Sequence, residues 1–488
     1  MSPSRSSKYL SLGILSFLLF LLPLVYSNTT AQVFAVNKFA VFIVANSILL
    51  TLYFVLTKIR RMKSAVRGPE REIRNKSEAR SMKSKIFQIS NFSLVSDFSF
   101  QISLPAVASL STEVSLPAEV SLPAEVSTKV GTKVGTKTGA KAGDFAFIFF
   151  SLFLLCALIS SMLGLDPLRS LLGSEIRHTG LLLWIHLGLL AFIVRQLQIS
   201  DREKLQWICI PLIAVGLMEL LLAIVQRGYP HFLFPTLRVE LFLGRPFGTL
   251  GHPTFLGQFF LFPLFLSFGL FNRNARPLLT HLLPCLFLMG ILLTGSRGAL
   301  VGAAGGFAII ALLAKREHGI FKWSIRVPVL LSLVSMTIVI LLTIGMLPTL
   351  RTDALRSTQT RIVLWSVVPS VIRKAPFFGV GLENIDRAFQ PVLPPVLRSL
   401  EDPRTVPDSS HNFLFDLLIE TGVIGLVAFL GFVVSVIAGF LKAGKSEGIS
   451  SSMAAALSAV FISWQFGIPS ITDSVFFFLY CSLLLQRD

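Results

Sequence analysis

Long apolar runs separated by short polar stretches dominate the chain. A helix that crosses the hydrocarbon core of a bilayer needs about 20 apolar residues, whereas the strands of a membrane barrel would be about 10 residues long and alternate in polarity. The pattern therefore predicts an all-α integral membrane protein with about 12 transmembrane helices. The predicted spans are residues 9–26, 33–57, 145–163, 179–195, 207–225, 254–271, 278–294, 299–314, 327–348, 422–441, 453–468 and 471–485.

The composition supports this class. Of the 488 residues, 53% are hydrophobic and 14% are charged, and the mean hydropathy is +0.73. Soluble domains carry about a quarter charged residues, so a soluble enzyme is excluded. The four cysteines lie in apolar runs without a CxxC spacing, which indicates neither a zinc site nor a disulfide framework.

Basic loops predict the orientation. If the N-terminus is cytoplasmic, the inside loops (58–144, 196–206, 272–277, 315–326 and 442–452) are all basic, as the positive-inside rule requires. The large loop, residues 349–421, then lies outside, between helices 9 and 10. The basic residues of the outside loops are arginines except for Lys374. Arginine presents a planar fork that suits phosphate, so this bias indicates an anionic ligand on the outer side.

Residues 58–144 form an insertion of a different kind. Lysine and arginine are dense between Lys58 and Lys85, and near-repeats of SLPAEV and TKVG follow. Such a segment cannot build a core, and we expect a disordered cytoplasmic loop. The predicted organisation is two N-terminal helices in 1–57, this insertion, and a polytopic domain in 145–485 that contains the outer loop.

Three polar stretches on the predicted outer side carry residues that could perform chemistry. The first contains Arg245, the second Arg297 and the third His411. The stretches are GRPFGTLGHPTFLG (244–257), LLTGSRGALVGAAGG (292–306) and DSSHNFLFDLLIETG (408–422). A lone arginine at a helix end often only reaches the interface, and a lone histidine is often a structural hydrogen bonder. Glycines at 298, 302 and 306 predict close helix packing that would hold Arg297 in place.

Taken together, the three residues predict one reaction. Arginines bind phosphate through paired, directional hydrogen bonds. Neighbouring cations lower the pKa of an imidazole, so His411 would be neutral and able to accept a proton. A hydroxyl would be deprotonated while a lipid diphosphate leaves and arginine stabilises its charge. The spacing of the seven histidines indicates no metal site, and no cofactor is expected.

The order of these motifs resembles the O-antigen ligase and O-antigen polymerase family, bacterial inner-membrane glycosyltransferases that include protein O-oligosaccharyltransferases. The resemblance covers roughly residues 170–485. It is carried by Arg245-Pro246-Phe247-Gly248, Ser296-Arg297-Gly298, His411-Asn412 and Glu420-Thr421-Gly422, together with Arg361, Trp365, Pro376 and Gly379–Gly381. In the position of the family's Asn-Pro-Asn-like triplet this chain has His252-Pro253-Thr254, so we expect the contacts of that loop to differ here.

The resemblance implies roles for these residues. It implies that His411 is the base and that Arg245 and Arg297 hold undecaprenyl diphosphate, in an inverting and metal-independent reaction at the periplasmic face of the inner (cytoplasmic) membrane. The glycan would pass to a hydroxyl of a glycolipid, another glycan or a protein, and no nucleic acid is implied. Secondary candidates are Arg177, Arg361, Asn412 and Glu420.

Two other functions fit a polytopic basic protein. A transporter or flippase of lipid-linked saccharides would show repeat symmetry and broken helices at mid-membrane, and neither is visible in the sequence. A scaffold that recruits a partner through residues 58–144 would leave the outer arginines unexplained. Within the enzyme class, the sequence leaves ligase, polymerase and protein O-oligosaccharyltransferase open, and we expect the 349–421 loop to select the acceptor.

Overall fold

A computed structural model describes residues 5–25, 35–55, 140–234, 242–269, 277–315, 348–400, 406–443 and 448–486. All regular secondary structure within these ranges is helical. The helices belong to one compact unit made of Met1–Phe54 and Gly139–Asp488. Nearly all of the predicted insertion, residues 58–139, lies outside the described residues.

The described residues form fifteen helices, numbered in chain order. They are α1 (Arg5–Leu24), α2 (Ala35–Val55), α3 (Ala140–Leu163), α4 (Pro167–Leu172), α5 (Leu181–Leu197), α6 (Asp201–Gly228), α7 (Pro253–Gly269), α8 (Pro277–Thr294), α9 (Arg297–Lys315), α10 (Pro348–Ile372), α11 (Ile385–Phe389), α12 (Leu397–Leu400), α13 (Phe413–Lys442), α14 (Gly448–Trp464) and α15 (Ile471–Leu484).

The apolar helices agree with the predicted spans. Four of them, α2, the apolar part of α3, α6 and α13, are long and apolar enough to cross a membrane, and seven shorter apolar helices accompany them. Each coincides with one predicted span. The ninth span, residues 327–348, lies almost wholly outside the described residues, so the count of twelve stays a prediction. The all-helical, multi-pass membrane class is confirmed.

Aromatic rings fill the interior between α3, α5, α13 and α15. The ring of Phe153 lies 4.9 Å from Trp184 and 5.3 Å from Phe429, measured between centroids. Phe432 and Phe478 stack at 5.5 Å. In an apolar solvent helix association depends on such packing, because burying apolar surface brings little hydrophobic gain there. These contacts join the N-terminal and C-terminal parts of the described chain.

The glycine stripe of α9 packs against its neighbours as predicted. A Cβ atom on Gly302 would lie 2.4 Å from the carbonyl oxygen of Ala459 in α14, and one on Gly306 would lie 2.2 Å from the ring of Phe265. A Cβ on Gly298 would lie 3.3 Å from the carbonyl oxygen of Ser463. Only glycine permits such a close approach. The helix that begins with Arg297 is therefore held against α14 along its length.

Helix α13 is broken at Gly422, which adopts φ 69°. The preceding loop repairs the break: the amide of Val423 donates to the carbonyl of Pro376, and the amide of Val380 donates to the carbonyl of Ile419, each at 2.9 Å. Backbone groups inside an apolar segment need such partners. The first half-helix, residues 413–421, is thus fixed to the outer loop and carries the candidate base at its start.

Candidate active site

His411 occupies a strained turn immediately before α13. Its φ of 56° lies in the left-handed region, which costs a non-glycine residue of order 1–3 kcal/mol. The turn is held by Asp416, which accepts hydrogen bonds from the hydroxyls of Ser409 at 2.5 Å and Ser410 at 2.6 Å. The backbone amide of His411 donates to the Ser409 hydroxyl at 2.8 Å. The turn therefore fixes where the imidazole can lie.

The imidazole of His411 is chemically available. It is half-buried and makes no side-chain hydrogen bond to the residues that the structure describes. Burial, followed by the charges of Arg361 and Arg177, lowers its pKa to about 4, with Asp408 acting in the opposite sense. The ring is neutral at neutral pH, so it can accept a proton from a ligand.

Arg245 is oriented by a loop that α6 supports. Its Nε donates to the carbonyl oxygen of Thr294 at 2.7 Å, which turns the guanidinium toward the start of α9. The side-chain oxygen of Gln226 accepts from the amides of Phe247 at 3.1 Å and Gly248 at 2.8 Å. Burial, and then the charge of Arg297, lowers the pKa of Arg245. The buried side chain of Gln226 therefore holds the loop that carries Arg245.

Arg297 and Arg361 line one cavity of about 200 Å³ between α9 and α10. Arg297 is the first residue of α9, and its Nη1 donates to the Thr358 hydroxyl at 3.3 Å. The Nε of Arg361 is buried without a hydrogen-bond partner in the described part of the chain. The other lining residues are Gly298, Val301, Thr358, Ile362, Trp365 and Phe466. The lining residues that the structure describes include no acidic side chain.

Arg361 connects the cation cluster to the base. Burial, followed by the charges of Arg297 and Arg245, lowers the pKa of Arg361 to about 10, while Arg361 itself lowers the pKa of His411. Arg245, Arg297 and Arg361 are thus close enough for their positive charges to affect one another, and guanidinium groups bind phosphate through paired hydrogen bonds. Arg361, a secondary candidate from the sequence, thus stands beside the two primary ones.

Trp365 joins the cavity wall to the turn of the candidate base. Its indole Nε1 donates to the carbonyl of Ser410 at 3.0 Å, and its ring faces Phe415 at 6.0 Å. Sequence reasoning noted Trp365 only as part of the family resemblance. The hydrogen bond to Ser410 depends on tertiary packing, and no local pattern encodes it.

Arg177 lies on the other side of His411, in an acidic group. Its Nε forms an ion pair with Asp408 at 3.2 Å, and its Nη1 donates to the Asp408 carbonyl at 3.1 Å. Burial alone would lower the pKa of Arg177, but Asp408 and the buried carboxylates around it, Glu383 first among them, raise it. The structure places Arg177 behind the turn that carries His411.

Asn412 and Glu420 make structural contacts. Asn412 caps α13: its side-chain oxygen accepts from the amide of Phe415 at 3.1 Å, and its side-chain nitrogen donates to the carbonyl of Gln465 at 3.2 Å. Glu420 is buried and accepts from the amide of Glu383 at 2.8 Å. Both residues hold the half-helix that follows His411 in place.

No group of three or more His, Cys, Asp or Glu residues that could hold a metal ion occurs within the described ranges.

The segment that contains most of these residues matches a known family. Residues 283–430 match the family model of the O-antigen ligases. This segment is less than a third of the chain. It contains Arg297, Arg361 and His411, whereas Arg177 and Arg245 lie before it. No curated protein matches the chain. The match supports the resemblance inferred from the motifs, and the apolar helices indicate a multi-pass membrane protein.

Proposed function

We propose that the protein transfers a glycan from an undecaprenyl-diphosphate carrier to a hydroxyl group of an acceptor, on the periplasmic side of the bacterial inner membrane. The observation that carries the proposal is the grouping of these residues: Arg297 and Arg361 line one cavity, Arg245 is close enough to affect the pKa of Arg361, and His411 is a neutral imidazole next to Arg361. The family match supports lipid-linked glycan substrates.

The proposed step is a single displacement. His411 accepts the proton of the acceptor hydroxyl as the hydroxyl oxygen forms a bond to the anomeric carbon of the donor sugar. The bond between that carbon and the diphosphate oxygen breaks, and the electron pair leaves with the lipid diphosphate. Attack opposite the leaving group inverts the anomeric carbon. Arg245, Arg297 and Arg361 stabilise the charge that develops on the diphosphate, so the step needs no metal ion.

The test is transfer by purified protein in lipid vesicles, with an undecaprenyl-diphosphate glycan as donor and a hydroxyl-bearing glycan as acceptor. We expect transfer by the wild type and loss of at least about a hundredfold in His411→Ala, because removing a general base typically costs 10²–10⁴-fold. His186→Ala is the matched control: its Nδ1 contacts the carbonyl of Leu182 one turn earlier in α5. Equal rates for wild type and His411→Ala would refute the proposal.

A cell-surface glycan ladder assigns the acceptor class. In a deletion strain complemented with His411→Ala or Arg297→Ala, accumulation of long lipid-linked chains indicates a ligase. Accumulation of single lipid-linked repeat units indicates a polymerase. Normal ladders in both strains would contradict glycan transfer and favour a transporter or flippase of lipid-linked saccharides.

A further inference from the structure

A second histidine, His252, stands at the start of α7 in the same loop as Arg245. Its Nδ1 accepts a hydrogen bond from the amide of Thr254 at 3.1 Å, and its carbonyl accepts from the amide of Leu256 at 3.1 Å. The side chain therefore caps the helix, as asparagine commonly does. Because Nδ1 is the acceptor, the proton of the neutral ring is on Nε2.

The ring of His252 is held in place by two aromatic side chains. Phe242 meets it edge-on, with centroids 5.7 Å apart and planes at 88°, and Phe255 lies 5.4 Å away. The side chain is nonetheless accessible to water, and its Nε2 donates to no residue in the described ranges. The Nε2–H group of His252 is therefore an oriented donor for a ligand that binds at this loop.

The charges around His252 are those of the candidate active site. Partial desolvation by the packed loop, followed by the positive charges of Arg245 and His411, lowers its pKa. The ring therefore stays neutral at neutral pH and keeps a single donor. His411 differs, because neither of its ring nitrogens forms a hydrogen bond with a described residue.

We propose that the Nε2–H of His252 donates a hydrogen bond to an oxygen of the diphosphate that Arg245 holds. This inference rests on the proposed function and extends its donor site by one residue. His252 is a binding donor and not a base, because its one available nitrogen already carries a proton. The two histidines then have separate tasks: His411 receives the acceptor's proton, and His252 binds the leaving group.

Two substitutions separate this role from helix capping. In His252→Asn the side-chain oxygen replaces Nδ1 and preserves the cap, but nothing replaces Nε2. In His252→Gln the amide nitrogen reaches the position of Nε2, but the cap is lost. If capping were the whole role of the residue, His252→Asn would behave like the wild type and His252→Gln would be the impaired variant.

We expect the opposite order. A hydrogen bond to a charged group corresponds to about tenfold to a hundredfold in affinity, so His252→Asn should lower kcat/KM for the lipid-linked donor by that factor at unchanged protein level and Tm. His252→Gln should recover part of the loss. Binding of inorganic diphosphate, measured by titration calorimetry without substrate, should weaken in the same order.

The binding measurement distinguishes the two proposals. Wild-type kinetics and wild-type diphosphate affinity in His252→Asn would overturn the role of His252 while leaving glycan transfer intact. If the wild type binds diphosphate and His252→Asn binds it more weakly, but no protein transfers glycan, the transfer proposal fails and the donor site stands.

Discussion

The indole nitrogen of Trp365 and the carbonyl oxygen of Ser410 form a 3.0 Å hydrogen bond. It links the wall of the arginine cavity to the turn that carries His411, across 45 residues of sequence. Because His411 has a strained backbone, its position depends on contacts of this kind. The base and the anion site are therefore set relative to each other by one side chain that itself lines the cavity.

Trp365→Phe should impair transfer more than it impairs stability. It removes the hydrogen bond and keeps an aromatic wall, so we expect a loss of about 1 kcal/mol in the free energy of unfolding and a threefold to tenfold drop in kcat. Trp207→Phe is the control, because the buried Nε1 of Trp207 has no partner in the described ranges. Equal kcat values for the two variants would show that the contact to Ser410 does not position the base.

The pH dependence of transfer should differ between the free enzyme and its complex. His411 acts unprotonated, so activity falls as pH falls through its pKa. In the free enzyme that pKa is about 4, and kcat/KM should therefore stay level from neutral pH to well below pH 6. Bound diphosphate adds negative charge beside Arg361 and raises the pKa of His411. The acid limb of kcat should consequently lie at higher pH than that of kcat/KM.

Arg361→Gln tests whether the acid limb of the pH profile reports the titration of His411. Without the positive charge of Arg361, the pKa of His411 in the free enzyme rises, and the acid limb of kcat/KM moves to higher pH. The donor KM should also rise, because a charged hydrogen-bond donor to the diphosphate is lost. Arg195→Gln, which removes an arginine paired to Asp144, should leave the profile in place. An unmoved limb in Arg361→Gln would assign the titration to another group.

Gln226→Leu should lower stability and weaken donor binding, because Gln226 supports the loop that carries Arg245. It leaves the amides of Phe247 and Gly248 without their acceptor, and each buried unsatisfied group costs about 1–3 kcal/mol. We expect a lower Tm and a donor affinity reduced about tenfold or more, since Arg245 loses its support. Gln206→Leu, an exposed position on the same helix, is the control. A Gln226→Leu enzyme with normal donor KM would contradict this support.

Gly422→Ala should prevent correct folding. At φ 69° a Cβ atom is strained, and it would lie 2.2 Å from the carbonyl oxygen of Phe377. We expect a loss of about 3 kcal/mol or more in stability, seen as a reduced yield of folded protein in detergent. Gly228→Ala adds a Cβ that meets nothing within 4 Å and should be tolerated. Normal yield of Gly422→Ala would mean that the break in α13 is dispensable.

Hydropathy predicted the apolar helices well because lipid-facing and buried positions are both apolar. The predicted span 422–441 even begins at the break in α13. The predicted span did not include the preceding half-helix, because that half-helix contains the charged residues Asp416 and Glu420. Both are buried and pair with the outer loop. Local sequence does not show such tertiary compensation.

The site was predicted in part. Arg297 and His411 were picked from their motifs, and the structure brings Arg361 beside them. The sequence left Arg361 as a secondary candidate, because the sequence of α10 alone does not show which residues lie next to Arg361. His252 was read only as a departure from a family pattern. Its ring orientation depends on the amide of Thr254 and on two aromatic neighbours, which no spacing rule reveals.

The repaired break at Gly422 also constrains how the protein is made. An unsatisfied backbone group in hydrocarbon costs several kcal/mol, so α13 cannot rest in the bilayer in its broken form until Pro376 and Val380 have docked. That docking segment leaves the ribosome first, since it precedes α13 in the chain. The broken form of this helix is therefore stable in the bilayer only together with the docking of the loop segment that precedes it. A chain stalled before that step would have neither a stable helix nor a positioned base.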